Sequence, residues 1–101
     1  MKEVARFHID DKFTITGRGI IFTGHILKGV ITIGNYIEFK FQNELIKRKI
    51  TGIEAGRHSI QNEGVFDKKN TGLLIGCQSE NEIKLIKASS LKEVEVLIFE
   101  K

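Results

Sequence analysis

Few side chains in this sequence stand at spacings that do chemistry. The stretch Gly29-Val30-Ile31-Thr32-Ile33-Gly34-Asn35 has the glycine spacing of a phosphate-binding loop. Such a loop needs a lysine directly after its second glycine to reach the phosphates, and Asn35 holds that place. The residues between the glycines alternate like a strand, so the spacing is coincidental. His8, His25 and His58 lie far apart along the chain, and the single cysteine, Cys77, adds no neighbouring ligand. Zinc sites usually declare themselves by close ligand pairs; these read as surface or structural histidines, and no metal is expected. No Gly-x-Ser-x-Gly turn marks a nucleophile, and no pair of carboxylates stands apart from ordinary solvated charge. The expectation is a protein that is not an enzyme and uses no cofactor.

One constellation is of another kind. The run Ile9-Asp10-Asp11-Lys12-Phe13-Thr14-Ile15-Thr16-Gly17-Arg18-Gly19 is followed by Thr23-Gly24, Gly29, Ile31 and Gly34. Further on come Thr51-Gly52-Ile53-Glu54, with Arg57 three residues beyond, and Asn70-Thr71-Gly72-Leu73-Leu74. Gly17 and Gly19 permit positive φ on either side of Arg18, which would let the chain turn sharply and project the guanidinium. Read purely structurally, Ile15, Ile21 and Leu74 are core residues. Glu54 and Arg57 would then pair across a bend, contributing about 0 to 1 kcal/mol at an exposed site.

The elements that must carry these residues are strands. Sixteen Ile, five Val, six Thr and seven Phe outnumber seven Leu, three Ala and one Met, a balance that favours β structure over helix. Period-two alternation recurs: Ala5, Phe7 and Ile9 share one parity, and Phe13 and Ile15 alternate with Lys12 and Thr14. Ile20 to Lys28 continues extended, with Gly24 marking a bulge or a close backbone approach. Val30 to Ile33, a turn at Gly34-Asn35, Tyr36 to Phe41, Leu45 to Ile53 and Val94 to Phe99 complete the alternating set. Gly72 to Cys77 is nearly all apolar, as for a strand covered on both faces. Glu80 and Lys84 at i, i+4 predict one helical turn within Ser79 to Lys87, and Ser90-Leu91-Lys92-Glu93 matches a capping box. About seven short strands separated by glycine turns predict an all-β fold, a closed antiparallel barrel of six to seven strands forming one domain over residues 1–101.

With those elements in place, residues 5–77 closely resemble domain 2 of translation elongation factor Tu and its relatives among the translational GTPases. The resemblance implies a barrel that helps hold the acceptor end of a tRNA, or other single-stranded RNA. It places Ile15, Ile21 and Leu74 where that family builds an apolar slot for the terminal adenine. Glu54 falls where a carboxylate meets the base or its ribose hydroxyl, Arg57 lies beside it near the backbone, and Arg18 is expected to contact the RNA with them. Departures occur at Lys68, at Gly76-Cys77 and at Leu85-Ile86, and the tail over residues 78–101 has no clear counterpart. A barrel that keeps the fold but docks on a protein, or on a second copy of itself, is the alternative expectation.

Size and charge bound these functions. A chain of 101 residues and 11.4 kDa leaves no room for a GTPase domain, so GTP binding is not expected from it. Folding should bury roughly two thirds of its unfolded surface, enough for a core without staples. At 41% hydrophobic and 29% charged, the composition is that of an ordinary globular domain. The net charge of +3 is uneven: residues 1–60 hold ten basic against six acidic side chains, residues 61–101 six against seven. The longest apolar run, Val96-Leu97-Ile98-Phe99, is too short to span a membrane. Charges throughout the first fifteen residues interrupt any secretory core, and Cys77 has no partner within the chain, so a cytoplasmic location is expected.

Overall fold

Alternating isoleucines and phenylalanines form strands throughout the computed structural model, which describes residues 2–15, 19–55, 58–60, 65–66 and 70–101. In chain order these are β1 (Glu3–Ile15), β2 (Gly19–Ile31), β3 (Tyr36–Phe41), β4 (Glu44–Ala55), β5 (His58–Ile60), β6 (Val65–Phe66), β7 (Thr71–Ile75), α1 (Glu80–Ala88) and β8 (Val94–Phe99). Six strands pair antiparallel in the ring β1-β8-β3-β4-β7-β2, and β2 returns to β1. The sheet therefore closes on itself as a six-stranded antiparallel barrel, which leaves no free edge in the ring. β5 and β6 extend β4 and β2 outside it. Strands were expected to be short, but β1 and β2 are thirteen residues each and form one long hairpin. Val30 and Ile31 belong to β2, and the chain reverses at Gly34, where φ is +98° and the Asn35 side chain accepts the Thr32 N–H at 2.8 Å. Phe7, Phe22 and Phe39 fill the interior beside Ile20, Ile37, Ile50 and Ile98, with the Phe22 and Phe39 rings edge to face at 5.3 Å. All five residues of β7 are buried, as expected of a strand covered on both faces.

The parity of β1 changes along its length. Ala5, Phe7 and Ile9 point into the barrel. Ile9 pairs with Gly24 and Asp11 with Thr23, so Asp10 is an extra residue without a partner in β2, a bulge. Beyond it the alternation is inverted. Lys12 pairs with the core residue Phe22 and is only 5% exposed, whereas Phe13 is 48% exposed. Unbroken alternation would have put Phe13 on the apolar face; the bulge is why it is outside. Gly24 permits the bulge, because a Cβ there would collide with the carbonyl oxygen of His8.

The inward Lys12 meets α1. Its Nζ donates to the carbonyl oxygens of Ser89 (2.8 Å) and Leu91 (3.3 Å), and Lys87 Nζ donates in return to the Lys12 carbonyl at 3.0 Å. Burial holds the Lys12 pKa below the ordinary lysine value, Asp11 opposes that shift, and Lys87 and Lys92 add to it. Instead of the single turn expected, α1 runs for nine residues. Ser79 caps it, its Oγ accepting the Glu82 N–H at 3.1 Å, while Glu80 and Glu82 in the first turn and Lys87 in the last suit the helix dipole. Ile86 is fully buried, and Arg48 of β4 grips Glu82 through two hydrogen bonds of 2.7 and 2.9 Å. These tertiary contacts extend a helix that the local pattern supports only weakly. The box at Ser90 opens no helix. Leu91 is drawn into the core, and the Glu93 N–H donates to the Ile9 carbonyl at 2.7 Å, directing the chain into β8.

Gly24→Ala is expected to lower the unfolding free energy in urea by about 3 kcal/mol, since backbone must move. Gly52→Ala, whose new methyl would meet only the Leu74 side chain at 3.3 Å, should cost less than about 1 kcal/mol. The Arg48 hydrogen bonds hold the Glu82 carboxyl below its ordinary value of 4.5, against the opposing effect of burial, with the Arg48 charge and the Gln78 N–H assisting. Because the folded value is the lower one, this stabilisation is complete above the unfolded value and is lost as pH falls through the folded one. Glu82→Gln should therefore cost about 2 kcal/mol at neutral pH. Urea midpoints of variant and parent should converge once the carboxyl is protonated.

Candidate functional site

On the outer surface, β2, β7 and β4 lie side by side. Ile21 and Gly52 both pair with Leu74, and Thr23 and Glu54 both pair with Gly72. Alternation sends Ile20, Phe22, Leu73, Ile75 and Ile53 into the core, so Ile21, Leu74, Glu54 and Gly72 share the outer face. Ile21 and Leu74 are nonetheless only 8% exposed each, and Glu54 is exposed. Gly72 puts no side chain between Ile21 and Glu54. A Cβ there would lie 2.7 Å from Ile21 Cδ1 and 3.9 Å from Glu54 Cβ. The resulting pocket, about 270 Å³, is bordered by Asp10, Ile21, Thr23, Glu54, Asn70 and Gly72.

Chemically this pocket has one apolar side, two carboxylates, an amide and a hydroxyl. The apolar wall can take a flat ring, and the carboxylates can accept from hydroxyl or amino groups. It has no cation among its described lining residues, so it disfavours a phosphate and suits groups that donate hydrogen bonds. Of the residues expected to act together, Ile21 and Glu54 line it and Leu74 adjoins Ile21. Ile15 does not. It pairs with Gly19 farther along the hairpin and borders a separate hollow of about 590 Å³ with Thr51, Cys77, Ile83 and Lys84. The α1 helix lies against that hollow and not against the Glu54 pocket. Arg18 and Arg57 fall outside the described residues. Burial pushes the Cys77 thiol up, Glu82 acts in the same direction and Arg48 opposes, so the thiol is held in its less nucleophilic form.

No protein-family model matches this chain. Among the described residues, no helix is long and apolar enough to cross a membrane.

A second group of side chains was not expected to meet. Because Asp10 is an extra residue, His8 comes to lie opposite His25, with the rings stacked at 4.9 Å and 26°. Asp10 Oδ1 lies 2.8 Å from His8 Nδ1 and 3.7 Å from His25 Nδ1. Reflection of the sequence about the turn near Gly17 brings His8 within one position of His25. The bulge supplies the missing step, and without it the two rings would be on opposite faces of the hairpin.

Proposed function

We propose that this chain is a non-catalytic barrel that binds the unpaired end of an RNA, placing a terminal base against Ile21 and its ribose hydroxyl at Glu54. The observation that carries this reading is the convergence of Ile21 and Glu54, from different strands, on one outward pocket left open by Gly72. The likeness to the translation-factor barrel supports it, since the acceptor end of a tRNA is the ligand that likeness implies. At about 270 Å³ the pocket is near the small end of ligand sites, a size for a base or sugar and not for a whole oligonucleotide. Single-stranded ends are read in this way, by stacking and by contacts to the 2′-hydroxyl. The net positive charge of the chain favours the phosphates that follow. A cytoplasmic setting accords with this ligand and with the lone Cys77 thiol.

A heteronuclear NMR titration with a short CCA-ended RNA at low salt tests the reading. The Ile21 methyl and the Glu54, Asn70 and Gly72 amides are expected to shift saturably, and a scrambled strand or one ending in a 2′-deoxynucleotide should bind more weakly. Gly72→Ala puts a methyl between Ile21 and Glu54, and Glu54→Gln removes the charged acceptor. Each should weaken binding about tenfold. Absence of shifts, or shifts indifferent to both variants, overturns it.

A protein-docking role has its own observation. Leu45, 68% exposed, borders a groove of about 620 Å³ between the β3–β4 hairpin and Leu91. If that groove receives a second copy of the chain, light scattering should give a dimer mass that Leu45→Lys returns to the monomer. A monomeric parent removes this reading.

A further inference from the structure

We propose that His8, Asp10 and His25 bind one divalent transition-metal ion of the zinc type on the outer face of the β1–β2 hairpin. The two histidine rings and the carboxylate each present one ligand atom, and these atoms all lie within 4.8 Å of one another. Around a tetrahedral ion with ligands at about 2.0 to 2.2 Å, neighbouring ligand atoms are about 3.4 Å apart. Two of the separations, 2.8 Å between His8 Nδ1 and Asp10 Oδ1 and 3.7 Å between His25 Nδ1 and Asp10 Oδ1, bracket that value. The widest separation in the set reaches 4.8 Å, so the side chains must rotate together by about an ångström to close on an ion, on strands that are already paired across the hairpin.

The surroundings of His8 suit a metal ligand. Asp10 lies beside its Nδ1, and Glu93 Oε2 lies 3.6 Å from its Nε2. With an ion on Nδ1 and the hydrogen on Nε2, Asp10 would share the ion and Glu93 would need only a small approach to accept the hydrogen. A carboxylate behind the distal nitrogen is the usual outer support of a metal-bound histidine. The adjacent strand adds Glu95, opposite His8, whose carboxylate is shared with Arg6. Two imidazoles and one carboxylate select zinc, cobalt, nickel or copper over magnesium and calcium. With the His8 and His25 side chains 24% and 39% exposed, water can complete the coordination.

This site shares Asp10 with the border of the proposed RNA pocket, but its two histidines lie outside that pocket, and its test contains no RNA. Untagged, chelator-treated protein is titrated with zinc chloride by calorimetry and with cobalt(II) by visible absorption. The expected result is one ion per chain, a tetrahedral cobalt spectrum and joint movement of the His8 and His25 ring resonances, with no response to magnesium. His25→Ala and Asp10→Asn should each weaken binding at least about tenfold, with unchanged far-ultraviolet circular dichroism. His25→Gln replaces the alanine variant if that one fails to fold. Cys77→Ser and His58→Ala should bind as the parent does. Failure of the parent to bind, binding that survives both site substitutions, or loss of binding in Cys77→Ser or His58→Ala overturns the assignment.

Discussion

The architecture turns on a single close approach, that of the Gly24 backbone to the carbonyl of His8. It makes room for the extra residue at Asp10, and the extra residue inverts which side of β1 faces the core. Before the bulge, β1 contributes apolar side chains to the interior. After it, the same strand sends in a lysine and puts a phenylalanine on the surface. One register slip thus produces three features at once: the inward Lys12, the outward Phe13 and the apposition of His8 with His25.

A lysine among core residues would be costly without partners, and its partners come from the far end of the chain. Carbonyl groups just past α1 are polar groups with no helical hydrogen-bond donor, and the Lys12 ammonium supplies one to Ser89 and another to Leu91. Lys87 returns a bond to the Lys12 carbonyl. On the other side of the helix, Arg48 and Glu82 form a largely buried ion pair. Both attachments are polar and directional. They fix where α1 sits, which apolar contact by Ile83 and Ile86 alone would leave less defined.

Much of the barrel is legible in the sequence because its strands are half buried, and half burial writes itself as alternation. The limits of β8 and the double coverage of β7 follow from local pattern. The length of α1 does not, because its support comes from Arg48 and Lys12, and no local spacing encodes those contacts. The outward position of Phe13 is likewise hidden, since a bulge leaves no mark beyond a permissive glycine on the opposite strand. At the candidate pocket, the shared outer face of Ile21, Leu74 and Glu54 was legible through motif and parity, and Gly72 belonged to the same motif as Leu74. The separation of Ile15 from them follows from its pairing with Gly19 at the end of the hairpin, and the histidine pair depends on the bulge; both are properties of three-dimensional register.

The ring also has a consequence for how the protein is made. β1 is held between β2 and β8, and β8 in turn joins β1 to β3. Until the last strand is synthesised, β1 and β3 each present an unsatisfied edge, and the nascent chain is an open, sticky sheet. Closure must bring together segments such as Glu3 and Phe99 from nearly opposite ends of the chain. Topologies dominated by such distant pairings fold on the order of milliseconds to seconds. During that interval a ribosome-associated chaperone would find exposed strand edges to shield, and a premature stop before residue 94 would leave them uncovered for good.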